Sequence, residues 1–239
     1  MSSRTTKAIA LHEHIFSQPA ETFANKPWAL MNAMEAFATQ IGGMMIFRSS
    51  KLKIVQTAMQ QMDPKPKTVL EFGTYVGHSA LAWGAILQDL QDPSTLPECN
   101  VYTFELDPEH ARITRDFIKL AGLQDTVHVV EGPAAESVKT LYEQGKITQG
   151  AVDMAFIDHW EEYYLPDLKL CESLHLFRRG TIVVADNTDH PGAPDYVAHV
   201  KAGGDGTVKY ESVSHSTGRS SRPGGPVRAS FIVLLVYLL

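Results

Sequence analysis

Residues 68–79, TVLEFGTYVGHS, decide the fold class of this 239-residue chain. An apolar run at 68–72 meets a glycine-containing turn, and residues 79–90 then have apolar side chains at helical spacing. A strand that is apolar on both faces and leads into a helix is typical of a parallel α/β sheet. The same unit recurs, with strands predicted at 101–104, 127–130, 154–157 and 181–185 and helices at 108–121, 134–144, 165–174 and 194–201.

Both ends of the chain extend this alternating core. Helical spacing of apolar residues predicts helices at 8–16, 28–37 and 52–62, and the prolines at 64 and 66 end the last of these. We therefore expect an N-terminal helical extension, residues 1–62, packed on an α/β domain, residues 63–239. Within that domain, the Gly, Ser, Arg and Pro content of residues 203–226 predicts a flexible loop. The apolar run at 231–239 predicts a buried terminal strand.

The composition indicates a globular protein and argues against several classes of function. Lys and Arg total 21 against 27 Asp and Glu, and this net charge of −6 disfavours nucleic-acid or anionic-membrane binding. The terminal apolar run is shorter than the roughly 20 residues that cross a bilayer, so no membrane span is expected. The two cysteines, Cys99 and Cys171, are too few for a disulfide framework. We expect a cytoplasmic monomer that acts on a small molecule.

Acidic residues stand at the carboxyl ends of all five predicted strands. Parallel α/β sheets bind their ligands just beyond these ends. Chance could place one or two acidic residues there, but five together indicate a functional site, formed by Glu71, Glu105, Glu131, Asp158 and Asp186.

The turn after the first strand favours a cationic ligand over a pyrophosphate. Its glycines, Gly73 and Gly77, have the spacing G-x-x-x-G instead of the dinucleotide pattern G-x-G-x-x-G, which argues against a nicotinamide oxidoreductase. The neighbouring carboxylate of Glu71 would repel phosphate, whereas Glu105 could accept the hydroxyl groups of a ribose. A nucleoside with a positive centre, such as S-adenosylmethionine, fits both residues. Each residue taken alone also fits an ordinary turn or a solvated strand end.

Asp158, Asp186 and Asn187 form a second cluster. Carboxylate and amide oxygens are hard ligands that suit Mg²⁺ or Ca²⁺. Two adjacent parallel strands would bring the three side chains to one edge of the sheet. About three octahedral positions would then stay open for water and substrate oxygens. Taken without Asp158, the pair Asp186-Asn187 also fits a simple turn before Pro191.

From about residue 37 to 201 the sequence resembles the catechol O-methyltransferases, which are magnesium-dependent. The matching segments are residues 71–79, 121–125 (AGLQD), 156–160 (FIDHW), 164–167 (YLPD) and 185–187 (ADN), followed by Pro191-Gly192. The resemblance implies a Rossmann-like methyltransferase fold, with a mostly parallel seven-stranded sheet covered by helices on both faces. It also implies transfer of a methyl group from S-adenosylmethionine to one hydroxyl of an aromatic diol.

The same resemblance implies roles for individual residues. Asp158, Asp186 and Asn187 would hold Mg²⁺, and the acceptor would contact Met45, Trp160 and Asn187. S-adenosylmethionine would be surrounded by Phe47, Glu71, Gly73, Tyr75, Gly77, Ser79, Glu105, Leu106, Ala134, Asp158, His159 and Trp160. Ala134 stands where the family has a serine that contacts the cofactor.

The sequence departs from the family on the acceptor side. Glu161 replaces the family's proton-accepting lysine, and direct transfer from a phenol (pKa ~10) to a glutamate (~4.3) is uphill by roughly 8 kcal/mol. Metal coordination of the hydroxyl, burial of Glu161 or substitution by Lys51 could each remove this barrier, so Glu161 and Lys51 are both candidate bases. Gly43 replaces a tryptophan of the substrate wall, and the family's late glutamate has no counterpart that can be aligned. The alternative is a catalytically impaired homologue that binds the cofactor in a regulatory role.

Overall fold

A computed structural model describes residues 2–204, 206, 208–216 and 230–238. Helices and strands alternate from the first strand to residue 201, as predicted. The helices are α1 (Ser3–Phe16), α2 (Pro27–Gln40), α3 (Ser49–Gln61), α4 (His78–Leu90), α5 (Pro108–Leu120), α6 (Ala134–Glu143), α7 (Tyr164–Ser173) and α8 (Pro194–Lys201). The strands are β1 (Thr68–Phe72), β2 (Asn100–Glu105), β3 (Val127–Glu131), β4 (Val152–Ile157), β5 (Phe177–Ala185), β6 (Val208–Ser216) and β7 (Ser230–Leu238).

All the strands join one sheet in the order β3-β2-β1-β4-β5-β7-β6. Strands β1 to β5 run parallel. At one edge, β7 pairs antiparallel with β5, and β6 pairs antiparallel with β7. The chain adds strands outward from β1 to β3 and then returns to place β4 on the other side of β1. This reversal between β1 and β4 creates the crevice in which α/β sheets bind ligands.

Alternating strand residues supply two apolar cores, because successive side chains of a strand point to opposite faces. Val69 and Met154 belong to the core that also contains residues of α1 to α5, including Leu11, Met34 and Val55 from the N-terminal helices. Leu70, Phe72 and Ala155 belong to the opposite core, which is covered by α6, α7 and α8 and includes Leu141, Tyr164 and Tyr196. No helix in the described ranges is both long and apolar enough to cross a membrane.

In the second half of the chain, two predicted extents were wrong. Strand β5 begins at Phe177 and not at residue 181. The strand continues through Gly180, which has a φ of +89° and belongs to an irregularity in the β4–β5 pairing. Residues 208–216, expected inside a flexible loop, form β6 and pair with β7 along their whole length. Pairing with a distant strand gives order to this largely polar segment, and its composition alone could not reveal that partner. Residues 205, 207 and 217–226 of the expected loop lie outside the described residues, as do the side chains of β7.

Candidate active site at the carboxyl ends of the strands

The glycine turn after β1 lies against the end of β4. Gly73 has a φ of +90°, and a Cβ atom placed on it would lie 2.8 Å from the carbonyl oxygen of Asp158 and 3.0 Å from Cα of His159. Tyr75, within the same turn, also has a left-handed φ of 54°. Glycine is therefore required at position 73 both by conformation and by the close approach of the neighbouring backbone.

Glu71 lies inside the protein beneath this turn. Its carboxylate accepts hydrogen bonds from Thr103 Oγ1 at 2.5 Å, Trp83 Nε1 at 2.8 Å and Thr74 Oγ1 at 3.2 Å. Burial raises the pKa of Glu71 to about 7, although these hydrogen bonds act in the opposite direction. Both carboxylate oxygens are already bonded to protein groups, so Glu71 supports the turn from below.

Glu105, at the end of β2, braces the same turn from the side. Its carboxylate accepts hydrogen bonds from the backbone N–H of Tyr75 at 2.7 Å and of Asp107 at 2.9 Å. The next residue, Leu106, is 65% exposed at the mouth of the crevice. The Tyr75 hydroxyl in turn donates to the backbone oxygen of Arg4 at 2.9 Å, so α1 passes over the turn.

Asp158, Asp186 and Asn187 come together as the strand topology predicts. Ile157 and Ala185 are register partners in parallel strands, so the residues that follow them leave the sheet side by side. Asn187 Nδ2 lies 3.4 Å from Asp158 Oδ1. Burial and then the charge of Asp186 raise the pKa of Asp158 well above its ordinary value. Two acidic side chains and an amide thus meet at one point of the rim.

Lys51 of α3 supplies a positive charge at this point. Its Nζ atom lies 2.5 Å from Asp186 Oδ1 and 5.7 Å from the ring centroid of Phe47, and its side chain is 11% exposed. The charge of Lys51 also acts on Asp158, where it favours the ionised carboxylate. The N-terminal extension therefore contributes a functional group to the site formed by the sheet.

The donor set of this cluster fits a hard divalent cation. It consists of two carboxylates and one amide, and their oxygens are the ligands that Mg²⁺ prefers. Among the residues that the structure describes, no group of three or more His, Cys, Asp or Glu side chains could hold a metal. The cluster of Asp158, Asp186 and Asn187 has only two side chains of these types, because its third donor is the amide of Asn187. The raised pKa of Asp158 indicates that further positive charge would be favourable here.

His159 and Trp160 form the outer wall of the site. His159 Nε2 lies 2.7 Å from Asp167 Oδ2, and its ring packs against Phe72. Trp160 is 54% exposed, and the guanidinium carbon of Arg4 lies 4.9 Å from its ring centroid. Met45, expected on the acceptor side, is 55% exposed.

Comparison with known proteins identifies the family of this chain. A family model described as O-methyltransferase matches residues 21–204. This chain belongs to that O-methyltransferase family. The catechol O-methyltransferase of Sus scrofa is 40% identical over 154 residues, which are 64% of this chain and 76% of that protein. The catechol O-methyltransferase of Bos taurus is 34% identical over 178 residues, 74% of this chain but 61% of that longer protein.

Solved structures support the same fold. An O-methyltransferase from Bacillus cereus in complex with SAH superposes with a TM-score of 0.65 at 20% sequence identity, covering 92% of this chain and 100% of that chain. The α/β Rossmann-like methyltransferase fold expected from the sequence is therefore confirmed. The recognised resemblance to the catechol O-methyltransferases is confirmed as well.

Four further residues predicted for the site of this O-methyltransferase lie in different parts of the fold. Phe47 is buried, with its ring centroid 4.8 Å from that of Phe156. Ser79 is buried within the first turn of α4, and Ala134 is the first residue of α6. Glu161 begins a short 3₁₀ helix, Glu161–Tyr163, and its charge contributes to the raised pKa of Asp158.

Sequence reasoning assigned no role to four residues that contact the site. Trp83 and Thr103 hydrogen-bond to Glu71, and Tyr164 and Asp167 contact the residues after β4 and β5. The segment 164–167 was one of those that matched the O-methyltransferase family, which was the available signal. Trp83 and Thr103 read as ordinary core residues because nothing local indicates that they face a carboxylate.

Replacing Gly73 by alanine should destabilise the protein more than the same change at Gly180. The two glycines have φ values of +90° and +89°, so the conformational cost is matched. Only the Gly73→Ala methyl group meets backbone at 2.8 Å, whereas the nearest atom at Gly180 is the tip of Arg178 at 3.7 Å. We expect a further loss of about 1–3 kcal/mol for Gly73→Ala, measured by urea unfolding. Equal losses would show that the contact with Asp158 is not tight.

The buried Glu71 carboxyl predicts a pH-dependent contribution to stability. Its pKa of about 7 in the folded protein exceeds the ordinary value of 4.5, so the folded protein holds a proton that the unfolded chain releases between these values. The contribution is present in full below about pH 4.5 and is lost as the pH rises to about 7, by about 3 kcal/mol in total. Urea unfolding of the wild type and of Glu71→Gln at several pH values checks this. A stability difference that is independent of pH would refute the assignment.

Proposed function

We propose that this protein is a magnesium-dependent O-methyltransferase that moves a methyl group from S-adenosylmethionine to one hydroxyl of a catechol-type aromatic diol. The observation that carries the proposal is the meeting of Asp158, Asp186 and Asn187 beside the glycine turn. A hard-cation site and a nucleoside site then share one crevice. The similarity to catechol O-methyltransferases supports the choice of acceptor.

On the cofactor side, the chain offers a glycine turn flanked by carboxylates. When bound, S-adenosylmethionine supplies an electrophilic methyl group, and Mg²⁺ supplies positive charge that orients two vicinal hydroxyl oxygens. Glu105 lies where a ribose would be recognised, and the exposed Leu106 and Trp160 offer apolar surface for a flat base. Glu71, with both oxygens bonded inside the protein, keeps the turn in place.

On the acceptor side, Asp158, Asp186 and Asn187 would hold the cation, and Met45 and Trp160 would form the wall. Orientation of the acceptor beside the donor accounts for much of the rate in such a displacement, because the two reacting atoms are held in line. The partly exposed Met45 and Trp160 leave this wall open toward solvent. Gly43, which has no side chain, adds to the space available for an acceptor.

Methyl transfer to a hydroxyl releases one proton, and Lys51 and Glu161 are the groups proposed to manage it. A lysine amine matches a phenol in proton affinity far better than a carboxylate does. Lys51 is mostly buried against Asp186. As the neutral amine it would accept the proton, and as the ammonium it would stabilise an ionised acceptor oxygen. Glu161 is close enough for its charge to act on Asp158 and Tyr164.

One observation favours a second candidate, a homologue that binds the cofactor without turnover. The Lys51 ammonium already neutralises Asp186 at 2.5 Å, which is the role that a cation would have in the active enzyme. Such a protein would serve in binding or regulation.

The buried free cysteines Cys99 and Cys171 suit a reducing compartment, and for either function we propose a cytoplasmic monomer.

The proposed function is tested with S-adenosylmethionine, Mg²⁺ and a panel of small catechols, with product mass and regiochemistry as the measurement. We expect methylation of one hydroxyl by the wild type. In Asp158→Ala, turnover should fall at least a hundredfold, because a carboxylate of the cation site is lost, while affinity for S-adenosylmethionine stays largely intact.

Asp195→Ala, an exposed aspartate of α8, is the matched control and should be fully active. Full activity of Asp158→Ala, or of the wild type in excess chelator, would contradict the metal assignment. Binding of S-adenosylmethionine without transfer to any diol would favour the second candidate.

Restoring the family's lysine tests the role of position 161. Glu161→Lys should raise the turnover rate or move its pH optimum if the carboxylate limits proton removal, because a lysine matches the acceptor hydroxyl better. Glu162→Lys makes the same charge change one residue further along, at an exposed position, and is the control. Equal behaviour of the two variants would mean that the proton leaves by a route that does not involve position 161.

A further inference from the structure

The first turns of α7 contact the residues that follow both β4 and β5. Tyr164 is fully buried, and its ring lies parallel to that of His159, with 5.4 Å between centroids and 8° between planes. Its hydroxyl donates a hydrogen bond to the backbone oxygen of Asp186 at 3.0 Å. One side chain therefore joins the segment that carries Asp158 to the segment that carries Asp186 and Asn187.

Asp167, one turn further along α7, contacts only one of these segments. It is 3% exposed, and its Oδ2 atom lies 2.7 Å from Nε2 of His159. A carboxylate accepts hydrogen bonds, so this contact places a proton on Nε2 and fixes the orientation of the imidazole. The other ring nitrogen, Nδ1, is buried and has no hydrogen-bond partner among the described residues. Asp167 is thus the group that determines how the His159 ring is held.

We propose that Tyr164 and Asp167 are positioning residues of the methyl-transfer site and that they act on different ligands. Tyr164 holds the backbone of Asp186 and thereby the geometry of the proposed cation site. Asp167 holds His159 and through it the wall that includes Trp160 and faces the cofactor. This inference rests on the proposed function.

The two roles differ because the side chains of Tyr164 and Asp167 form hydrogen bonds with different segments of the site. The Tyr164 hydroxyl is bonded to the carbonyl of Asp186, directly before Asn187, whose left-handed φ of 53° is a strained conformation. Without that bond, the backbone of the two proposed ligands loses an anchor. Asp167 contacts His159. The Cα atom of His159 lies 3.0 Å from the position that a Cβ atom on Gly73, in the cofactor turn, would occupy. Loss of the Asp167 contact therefore affects the cofactor side first.

The test measures the affinities for Mn²⁺, by electron paramagnetic resonance, and for S-adenosylhomocysteine, by calorimetry, in the wild type, Tyr164→Phe and Asp167→Asn. Tyr164→Phe removes only the hydroxyl, and Asp167→Asn keeps the size of the side chain. We expect about a tenfold loss of Mn²⁺ affinity in Tyr164→Phe, with S-adenosylhomocysteine affinity changed less than about threefold. Asp167→Asn should give the reverse pattern.

Two variants control for a merely structural effect. Tyr196→Phe removes the hydroxyl of another buried tyrosine, which packs edge-on against Tyr164 at 5.9 Å and whose oxygen has no partner among the described residues. It should change neither affinity. Asp153→Asn alters another buried aspartate, which accepts hydrogen bonds from the backbone N–H groups of Lys67 and Thr68 at the opposite end of β1. It should lower stability without changing either affinity.

The possible outcomes are distinguishable. Wild type that binds neither Mn²⁺ nor S-adenosylhomocysteine would overturn the proposed function and this inference with it. Wild type that binds both, with Tyr164→Phe and Asp167→Asn changing both affinities equally or not at all, would overturn the positioning roles alone. If Asp167→Asn does not fold, Asp167→Glu replaces it. Glu keeps the carboxylate, so Asp167→Glu should leave the affinity for S-adenosylhomocysteine closer to the wild-type value than Asp167→Ala does. Equal losses of affinity in these two variants would also overturn the role of Asp167.

Discussion

The site depends on the close packing of the turn after β1 against the backbone after β4. Because Gly73 has no side chain, the turn approaches Asp158 and His159 to a distance that a Cβ atom would obstruct. This contact occurs at the reversal of strand order between β1 and β4. It joins the two halves of the site, since one side carries the proposed cofactor residues and the other begins the proposed cation site.

Charge is the second constraint on this crevice. Three carboxyl groups, those of Glu71, Asp158 and Asp186, are held near one another in largely buried surroundings, where ionised groups are costly without compensation. The protein compensates each differently. Hydrogen bonds from Thr103 and Trp83 surround Glu71, and Lys51 pairs with Asp186. Asp158, whose pKa is raised first by burial and then by the charge of Asp186, is left as the group for which an added cation would be most favourable.

Much of the fold could be predicted from local pattern. The alternation of apolar strands and helices, the glycine turn and the acidic strand ends all follow from residues that are near one another in sequence. The partnership of Asp158 with Asp186 and Asn187 could also be predicted, because adjacent parallel strands end at the same edge of a sheet. Strand β6 could not, because nothing local in its polar sequence indicates the pairing with β7. Nor could the internal bonding of Glu71, which depends on Trp83 and Thr103 from other elements.

The sequence by itself determined the class of the protein, the positions of its strand ends and the types of chemical group that stand there, because these depend on periodicity and on residue identity. Only the tertiary structure decided which of these groups are available to a ligand. It directed Glu71 inward, paired Lys51 with Asp186 across 135 residues of sequence and set Tyr164 and Asp167 behind the site. The reason is physical: hydrogen bonds and ion pairs require distances of about 3–4 Å, and contacts between distant segments reach them only after the chain has packed.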